Sequence, residues 1–369
     1  MRKKQVAVID VGSSNITAVI GERGINKTFV IKGRFSYEYD GFDEGVFFDV
    51  DKFKRVLFTV GDRIKKETRG YIDTVYVGVP GEFVKVFVKD SQISFSKKKK
   101  IQESDVDALF DSAFVITTSK YTLINRSAIV YELNDFRRLA NPVGSTSEIL
   151  KGKLSFVLCS NYFIEAVKPT LESAGIEKVE CVSSDLAQAL YLVEPETRDR
   201  IAVIVDVGHI STTVTIIQGD GLLYKDTFSY GGGYITAEIS EHFGIDFELA
   251  EKLKRQVSLS SVAPTTGFNL IDGENGQFYS VDEIKELILR SLEILCENLS
   301  ESLEGSGYSI PEYVPIMITG GGITYIRGAK EHLSRRLGAI VEVVAPKIPL
   351  MNKPTESAIL SLLDLALAQ

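Results

Sequence analysis

The 369-residue chain has few of the residues that metal-binding or disulfide-rich proteins need. Its three cysteines, Cys159, Cys181 and Cys296, have neither metal nor disulfide spacing, and its three histidines are scattered. We therefore expect reduced core cysteines in a cytoplasmic protein. No apolar run reaches the roughly 18 residues that a membrane-spanning helix needs.

The chain also has fewer basic than acidic residues. The 42 lysines and arginines are outnumbered by 50 aspartates and glutamates, and the net charge of −8 argues against nucleic-acid binding. The basic residues 2–4 precede an apolar stretch that stops at Asp10, which indicates a strand rather than a signal peptide. The hydrophobic share of 44% predicts a globular protein with a sizeable core. The length suggests two to three domains of roughly 150 residues each.

One phrase occurs twice in the chain. Residues 6–12 read VAVIDVG, and residues 202–208 read AVIVDVG. In both copies small and hydroxylic residues follow the glycine, and a second β-branched run comes next. Each copy therefore predicts a hairpin of two strands around a glycine turn. Two such hairpins, one opening each half of the chain, indicate an internal duplication.

An aspartate just past a buried strand, followed by glycine and hydroxylic residues, suits magnesium phosphate. The backbone N–H groups of such a turn can bind phosphate oxygens, and glycine lets the phosphate approach closely. Asp10 and Asp206 would hold Mg²⁺ directly or through its water molecules. One such turn alone can be an ordinary hairpin, but two facing turns would grip a nucleotide from both sides. A strand follows each turn, which excludes Rossmann and Walker motifs.

Two glycine triplets, at 231–233 and 320–322, each lie between a predicted strand and a predicted helix. Glycines there let the backbone lie flat against a ligand, and a helix N-terminus favours anions. Glu251 and Lys254 share a helix face at a spacing of three. They could contact ribose and adenine, or they could form a solvated ion pair.

The segment 81–162 differs from both halves in its pattern of predicted strands and helices. It predicts a small α+β domain inserted in the first half. It contains the run Lys97–Lys100, which predicts a basic turn. That turn is either simply solvated or contacts an acidic partner or an anionic surface.

The order of these motifs resembles the actin–hexokinase–heat-shock-chaperone superfamily. Within it the chain is most similar to FtsA, the actin-like bacterial cell-division family, through the segments 41–57, 75–82, 141–158 and 166–190. The resemblance implies an α/β, actin-like, two-lobed ATPase fold with a duplicated core and the insert in the first lobe. The implied boundaries are 1–80 plus 163–195 for the first lobe core, 81–162 for the insert, and 196–369 for the second lobe with an outer subdomain at about 246–310.

The resemblance also implies a role for each motif residue in binding ATP and Mg²⁺. The implied cofactor-binding residues are Asp10, Gly12, Ser13, Ser14, Asn15, Gly208, His209, Ser211, Thr212, Gly232, Gly233, Glu251, Lys254, Gly320, Gly321 and Gly322. Asp10 and Asp206 would serve the metal. Asp206 and Asp185 are the candidate catalytic groups.

Departures from the FtsA pattern in the second loop and near Ser184 predict slow hydrolysis. FtsA commonly has lysine where Asn15 stands, although other actin-like proteins have asparagine there. The usual glycines of the second loop are His209 and Ile210 here, and these bulky residues could narrow the phosphate site. Filamentous relatives often carry a water-orienting glutamate near Ser184. Here only Asp185 is acidic, and it equally suits a helix N-terminus. We therefore expect ATP binding with at most weak ATPase activity.

The implied work is cytoskeletal: ATP-dependent assembly into filaments and recruitment of the tubulin-like protein FtsZ, whose C-terminal tail binds the outer second lobe in the family. The alternative is a pilus-assembly adaptor like PilM, which binds a peptide of an inner-membrane partner. A small-molecule kinase would need a sugar pocket with a catalytic aspartate, and residues 81–162 resemble the FtsA insert instead.

The C-terminal segment predicts a core helix. FtsA proteins usually end in a flexible linker and a basic amphipathic helix, whereas this sequence has no lysine or arginine after Lys353. Its leucines lie nearly all round a helix, which is typical of burial rather than of an interfacial helix. Contact with the inner face of the cell membrane is therefore expected only through a partner, or through a tail removed from this chain.

Overall fold

The computed structural model describes residues 5–25, 28–72, 74–114, 119–260, 269–273 and 276–369. The strands are β1 (Gln5–Val11), β2 (Asn15–Arg23), β3 (Phe29–Glu38), β4 (Phe42–Asp43), β5 (Val46–Phe47), β6 (Thr74–Val79), β7 (Val84–Lys100), β8 (Tyr121–Leu133), β9 (Arg138–Leu139), β10 (Thr146–Ser160), β11 (Lys178–Ser183), β12 (Ala202–Val207), β13 (Thr212–Gln218), β14 (Gly221–Phe228), β15 (Leu270–Asp272), β16 (Phe278–Ser280), β17 (Ile316–Thr319) and β18 (Val341–Val343). The helices are α1 (Val50–Thr68), α2 (Glu103–Ala113), α3 (Asn161–Ser173), α4 (Ser184–Leu192), α5 (Pro195–Arg198), α6 (Gly232–Phe243), α7 (Phe247–Gln256), α8 (Val281–Gly305), α9 (Ala329–Leu337) and α10 (Ser357–Ala368).

Two five-stranded sheets with the same topology form the body of the molecule. The first has the order β3-β2-β1-β6-β11 and the second the order β14-β13-β12-β17-β18. In each sheet the central strand pairs antiparallel with its hairpin partner and parallel with the next strand. The internal duplication that the repeated phrase predicted is confirmed.

The register places the two aspartates at equivalent points. Asp10 lies opposite Thr17 of β2 in the first sheet. Asp206 lies opposite Thr213 of β13 in the second. Each aspartate is the penultimate residue of its central strand. Side chains alternate along a strand, so both carboxylates leave an otherwise apolar strand at the same end of its sheet.

The insert is a four-stranded sheet of order β7-β10-β8-β9 with α2 packed on one face. A separate apolar cluster that includes Leu109, Phe110 and Phe156 joins α2 to this sheet. The other face lies near the second lobe, where the hydroxyl of Ser155 donates to the carbonyl of Leu222 at 2.7 Å. The insert therefore contacts the second lobe as well as the first.

The prediction of a basic turn at Lys97–Lys100 was wrong, because these residues form the end of β7. The ladder continues to the last lysine, where Lys100 lies opposite Thr146 of β10. Charge along the chain carries no information about backbone pairing, and lysines at a strand end can reach water from either face.

The C-terminal helix α10 is buried, as its leucine pattern predicted. Leu360, Leu362 and Leu363 are fully buried. They pack with apolar residues of β1, β2 and β6 in one cluster. The predicted second lobe, 196–369, includes this helix, whereas its contacts are with the first sheet. Within the described ranges, no helix is long and apolar enough to cross a membrane.

Candidate functional site

One cleft lies between the two five-stranded sheets and collects most of the predicted site residues. Its cavity volume of about 360 Å³ is in the range of small-molecule sites. The predicted residues that line it are Asp10, Gly12, Ser13, Ser14, Asn15, Asp185, Asp206, Gly208, His209, Ser211, Gly232, Glu251, Lys254, Gly320, Gly321 and Gly322. Residues from the two ends of the chain are thus brought to one place.

Thr212 and Gly233 are predicted site residues that do not line this cleft. The Thr212 hydroxyl is buried and donates to the carbonyl of Tyr230 at 2.6 Å. Thr213 lines the cleft instead, since alternate residues of a strand point to opposite faces. Gly233 supports the cleft from behind, because its amide donates to the carbonyl of His209 at 2.7 Å.

The two glycine turns have the same hydrogen bond. The amide of Gly12 donates to the carbonyl of Asn15 at 3.0 Å, and the amide of Gly208 donates to the carbonyl of Ser211 at 2.9 Å. The two turns also meet, since the amide of Ile210 donates to the hydroxyl of Ser13 at 3.2 Å. The cleft is therefore closed on one side by a direct contact between the lobes.

Two glycines of neighbouring segments lie against the two turns, Gly233 against His209 and Gly41 against Ser13. A Cβ atom at Gly233 would lie 2.8 Å from the imidazole of His209. A Cβ atom at Gly41 would lie 3.5 Å from the Cδ1 atom of Ile210 and 2.0 Å from the carbonyl oxygen of Ser13. Gly233 thus leaves room for the imidazole, while His209 still lines the cleft. That the second turn narrows the phosphate site stays a prediction.

Among the residues that the structure describes, neither Asp10 nor Asp206 forms an ion pair with a lysine, arginine or histidine. The pKa of Asp10 is raised to about 7, mainly by burial and to a smaller extent by the charge of the Asp206 carboxylate. Burial also raises the pKa of Asp206, and its hydrogen bond from Gln188 partly offsets this. Two buried carboxylates of like charge are an unfavourable arrangement unless a cation lies between them.

We expect Asp10→Asn to stabilise the protein without ligand, and to do so more at high pH. A carboxyl group whose pKa is raised on folding favours unfolding increasingly as the pH climbs from its ordinary 3.8 towards about 7. The variant should therefore gain on the order of 4 kcal/mol in free energy of unfolding at pH 8, and little at pH 4. Urea unfolding at several pH values measures this, with the exposed Asp199→Asn as the control. A loss of stability at pH 8 would contradict the electrostatic assignment.

Helix α4 brings two further polar groups to the cleft. Its N-cap hydroxyl, on Ser183, accepts from the amide of Leu186 at 3.2 Å. With the helix beginning after Ser183, Asp185 and Gln188 lie one turn apart on the helix face that lines the cleft. Gln188 donates from Nε2 to Asp206 at 2.7 Å. Asp185 Oδ2 and Gln188 Oε1 are both buried without a hydrogen-bond partner.

The carboxyl of Asp185 is close to titrating in the physiological range. Burial raises its pKa to about 6, while the ammonium of Lys225 opposes the shift. Asp185 lies in the first turn of α4 and also lines the cleft. Its two interpretations, as a helix N-terminal residue and as a candidate catalytic group, are therefore compatible.

Glu251 and Lys254 form a buried network rather than a solvated pair. Lys254 is only 1% exposed, and its ammonium donates to the carbonyl of Gly232 at 2.7 Å. It also donates to the hydroxyl of Thr236 at 2.6 Å and lies 2.6 Å from Glu251 Oε2. These three partners use all three ammonium protons. Lys254 therefore ties α7 to the first turn of α6.

The second glycine triplet packs against the second turn. Gly320 has a φ of +86°, and a Cβ atom there would lie 2.2 Å from Asp206 Oδ1. The amide of Gly322 donates to the carbonyl of Val207 at 2.8 Å. Helix α9 begins only at Ala329. The helix N-terminus expected directly after this triplet is therefore absent, whereas α6 does begin at Gly232.

Sequence reasoning missed a second set of cleft residues. They are Val11, Phe42, Pro80, Gly81, Ser184, Gln188, Thr213, Arg255, Pro354, Thr355 and Ala358. Gln188 could have been found from its spacing of three to Asp185 on one predicted helix. The C-terminal residues carry no local signal, because only the packing of α10 on the first sheet brings them to the cleft.

Comparison with known proteins gives one family model and many curated relatives. The model "Cell division protein FtsA" matches residues 203–361. FtsA of Buchnera aphidicola is 22% identical over 87% of this chain and 79% of that protein. FtsA of Streptococcus pneumoniae is 22% identical over 97% of this chain and 79% of that protein. FtsA of Escherichia coli K12 is 19% identical over 68% of this chain and 60% of that protein.

Solved structures share the architecture over almost the whole chain. A chain of the PilM–PilN type IV pilus biogenesis complex has a TM-score of 0.67 at 18% identity, with both chains fully covered. MreB5 of Spiroplasma citri bound to ADP has a TM-score of 0.56 at 13% identity, covering 98% of this chain and 95% of that one. The predicted fold class and the predicted resemblance are both confirmed: the chain is an actin-like, two-lobed α/β protein related to the FtsA family.

Proposed function

We propose that this protein binds Mg-ATP in the cleft between its lobes. The observation that carries the proposal is the pair of equivalent turns at Gly12 and Gly208, closed by the same hydrogen bond and facing one cleft. Backbone amides in such turns bind phosphate oxygens without needing a lysine. The nucleotides named with the MreB5 structures, ADP and AMPPNP, support a nucleotide as the ligand.

The paired aspartates fit a magnesium ion. They supply hard oxygen ligands. Burial is the main cause of their raised pKa values, because it disfavours the carboxylate charge, and a bound cation would offset that charge. Within the described residues, no group of three or more His, Cys, Asp or Glu side chains could hold a metal ion. Asp10 and Asp206 would therefore share the ion with water and phosphate oxygens. Bound there, Mg²⁺ would neutralise charge on the phosphates.

The nucleoside would lie beyond the second glycine triplet. Gly320, Gly321 and Gly322 give that wall a flat backbone surface, and Thr355 lies next to Gly321. Arg255 lines the same end and stacks its guanidinium over the ring of Tyr325 at 4.2 Å. Lys254 acts through the position of α6 rather than through a free ammonium.

Hydrolysis in this proposal is slow. Gln188 and Asp185 present the unpartnered acceptor atoms that could orient a water molecule. The ammonium of Lys225, whose charge acts on Asp185, already donates to the carbonyl of Gly81 and is less available to disperse charge on the transferred phosphate. Positioning and charge dispersal supply most of the catalysis of phosphoryl transfer, so turnover should stay below about one per second.

The cellular role that we propose is that of an actin-like protein of bacterial cell division, which assembles with ATP and recruits FtsZ. The match to the FtsA model across 203–361 supports this, and that range includes the whole outer second lobe at about 246–310. We place the FtsZ tail on that outer part. The protein would work in the cytoplasm, at the inner face of the membrane.

A PilM-like adaptor is the second candidate. The TM-score of 0.67 to a chain of the PilM–PilN complex, with full coverage of both chains, favours it specifically. In that case the partner would be a peptide of an inner-membrane protein, and nucleotide would regulate binding rather than assembly.

Sedimentation of the full chain separates these roles. With Mg-ATP we expect pelletable polymer, further pelleting of an FtsZ tail peptide, and phosphate release below about one per second. A chain that stays in the supernatant with Mg-ATP, and binds a pilus-partner peptide but no FtsZ tail, would establish the adaptor role instead.

A further inference from the structure

The outer end of the insert carries exposed cations and exposed apolar side chains together. We call this surface the insert tip and define it as residues 97–101, 134–137 and 141–146. The pairing of Lys100 with Thr146 holds its first part to its third. The hydroxyl of Ser147 donates to Asn134 at 2.7 Å, which holds the second part beside them. One edge of the sheet therefore presents all three segments.

The lysines of the tip are largely unneutralised. Lys99 pairs with Asp105 at 2.9 Å. Lys97, Lys98 and Lys100 are exposed, and within the described chain no carboxylate lies within ion-pair distance of them. This cluster stands out on a protein whose net charge is −8. An anionic partner is thus attracted here and repelled elsewhere.

The apolar residues of the tip are held outward by their turns. Phe136 is 78% exposed and has a φ of +63°, a conformation that costs energy for any residue with a Cβ atom. Val143 is 40% exposed in the neighbouring turn. The amide of Gly144 donates to the carbonyl of Ile101 at 2.9 Å, which places that turn beside the lysines.

We propose that the insert tip is a contact site for the surface of an anionic lipid bilayer. Phe136 and Val143 would enter the headgroup region, while the lysine stems lie along it with their ammonium groups on lipid phosphates. The two apolar side chains sit on separate projecting turns, so they suit a fluid planar surface better than a fixed peptide. The inference is independent of the nucleotide cleft, and it gives the chain its own route to the membrane.

Vesicle sedimentation with the full chain tests this. We expect association with vesicles of phosphatidylcholine and phosphatidylglycerol, weakening with salt, and little with phosphatidylcholine alone. Replacing Lys97, Lys98 and Lys100 by Gln should lower association about a hundredfold, at about fivefold per lysine. The matched control replaces Arg200, Arg335 and Lys353 by Gln, which removes the same charge from exposed positions elsewhere.

A second pair of variants tests the apolar part. Phe136→Gly should cut vesicle binding about fivefold, while leaving Tm unchanged or higher because glycine relieves the positive φ. Phe278→Ser is the control, since Phe278 is 66% exposed but lies in β16, outside the insert. Equal binding by wild type and the triple lysine variant would overturn the proposal. The proposal would also be overturned if the protein bound polyglutamate as tightly as it binds vesicles and if Phe136→Gly left both affinities unchanged. That result would show that the insert tip binds an acidic polypeptide.

Discussion

Mg-ATP should raise the Tm of the protein by about 3 °C when its concentration is a hundred times the Kd. A ligand that binds only the folded state adds about 2.7 kcal/mol to the free energy of unfolding at that excess. Most of this gain should require magnesium, because Asp10 and Asp206 are the acidic groups of the cleft that lie at the two turns. Thermal unfolding with ATP, with and without EDTA, measures both parts.

Asp206→Asn should remove the magnesium-dependent part of this shift. The amide has the size of the carboxylate but carries no charge to bind the metal. Losing a residue that only supports a metal ligand costs up to about a hundredfold in affinity. Losing the ligand itself should therefore lower the affinity for Mg-ATP by at least about a hundredfold. Asp199→Asn, an exposed change outside the cleft, should leave the shift intact. An equal Mg-ATP shift in wild type and Asp206→Asn would show that the ligand, if any, binds elsewhere.

Lys254→Met should destabilise the protein by about 3 kcal/mol even without nucleotide. The change leaves Glu251 Oε2 and the carbonyl of Gly232 without their buried ammonium partner, and it frees the first turn of α6 from α7. Methionine matches the length of the lost side chain, so the loss reports the charge network rather than a cavity. Urea unfolding of the ligand-free protein is the measurement.

Lys252→Met provides the matched control on the same helix. Lys252 is 52% exposed and reaches Glu248 only at 3.6 Å, so its loss should change stability by less than about 0.5 kcal/mol. If Lys254→Met unfolds like wild type and only weakens nucleotide binding, then Lys254 is a direct nucleoside ligand, as the family resemblance implied.

The repeated phrase was sufficient to predict the duplicated core and both turns of the cleft. The strands at 6–9 and 202–205 are continuous apolar runs that must be buried, and Gly12 and Gly208 follow the aspartate at the same distance. These signals are local, since strand burial and turn conformation are decided within a few residues. The same holds for α10, whose leucines predict burial on nearly every side.

Contacts between distant segments could not be predicted in this way. The sequence did not indicate that α10 covers the first sheet and carries Thr355 into the cleft, because an apolar helix fits any apolar face of suitable shape. Nor did it indicate that the ammonium of Lys254 binds Gly232 and Thr236 of α6, or that Gly233 leaves room for the imidazole of His209. By itself the sequence determined which strands and turns form and where the two aspartates stand. Only the tertiary structure decided which side chains in the cleft keep a free polar atom, because that depends on partners that the chain brings together from far apart.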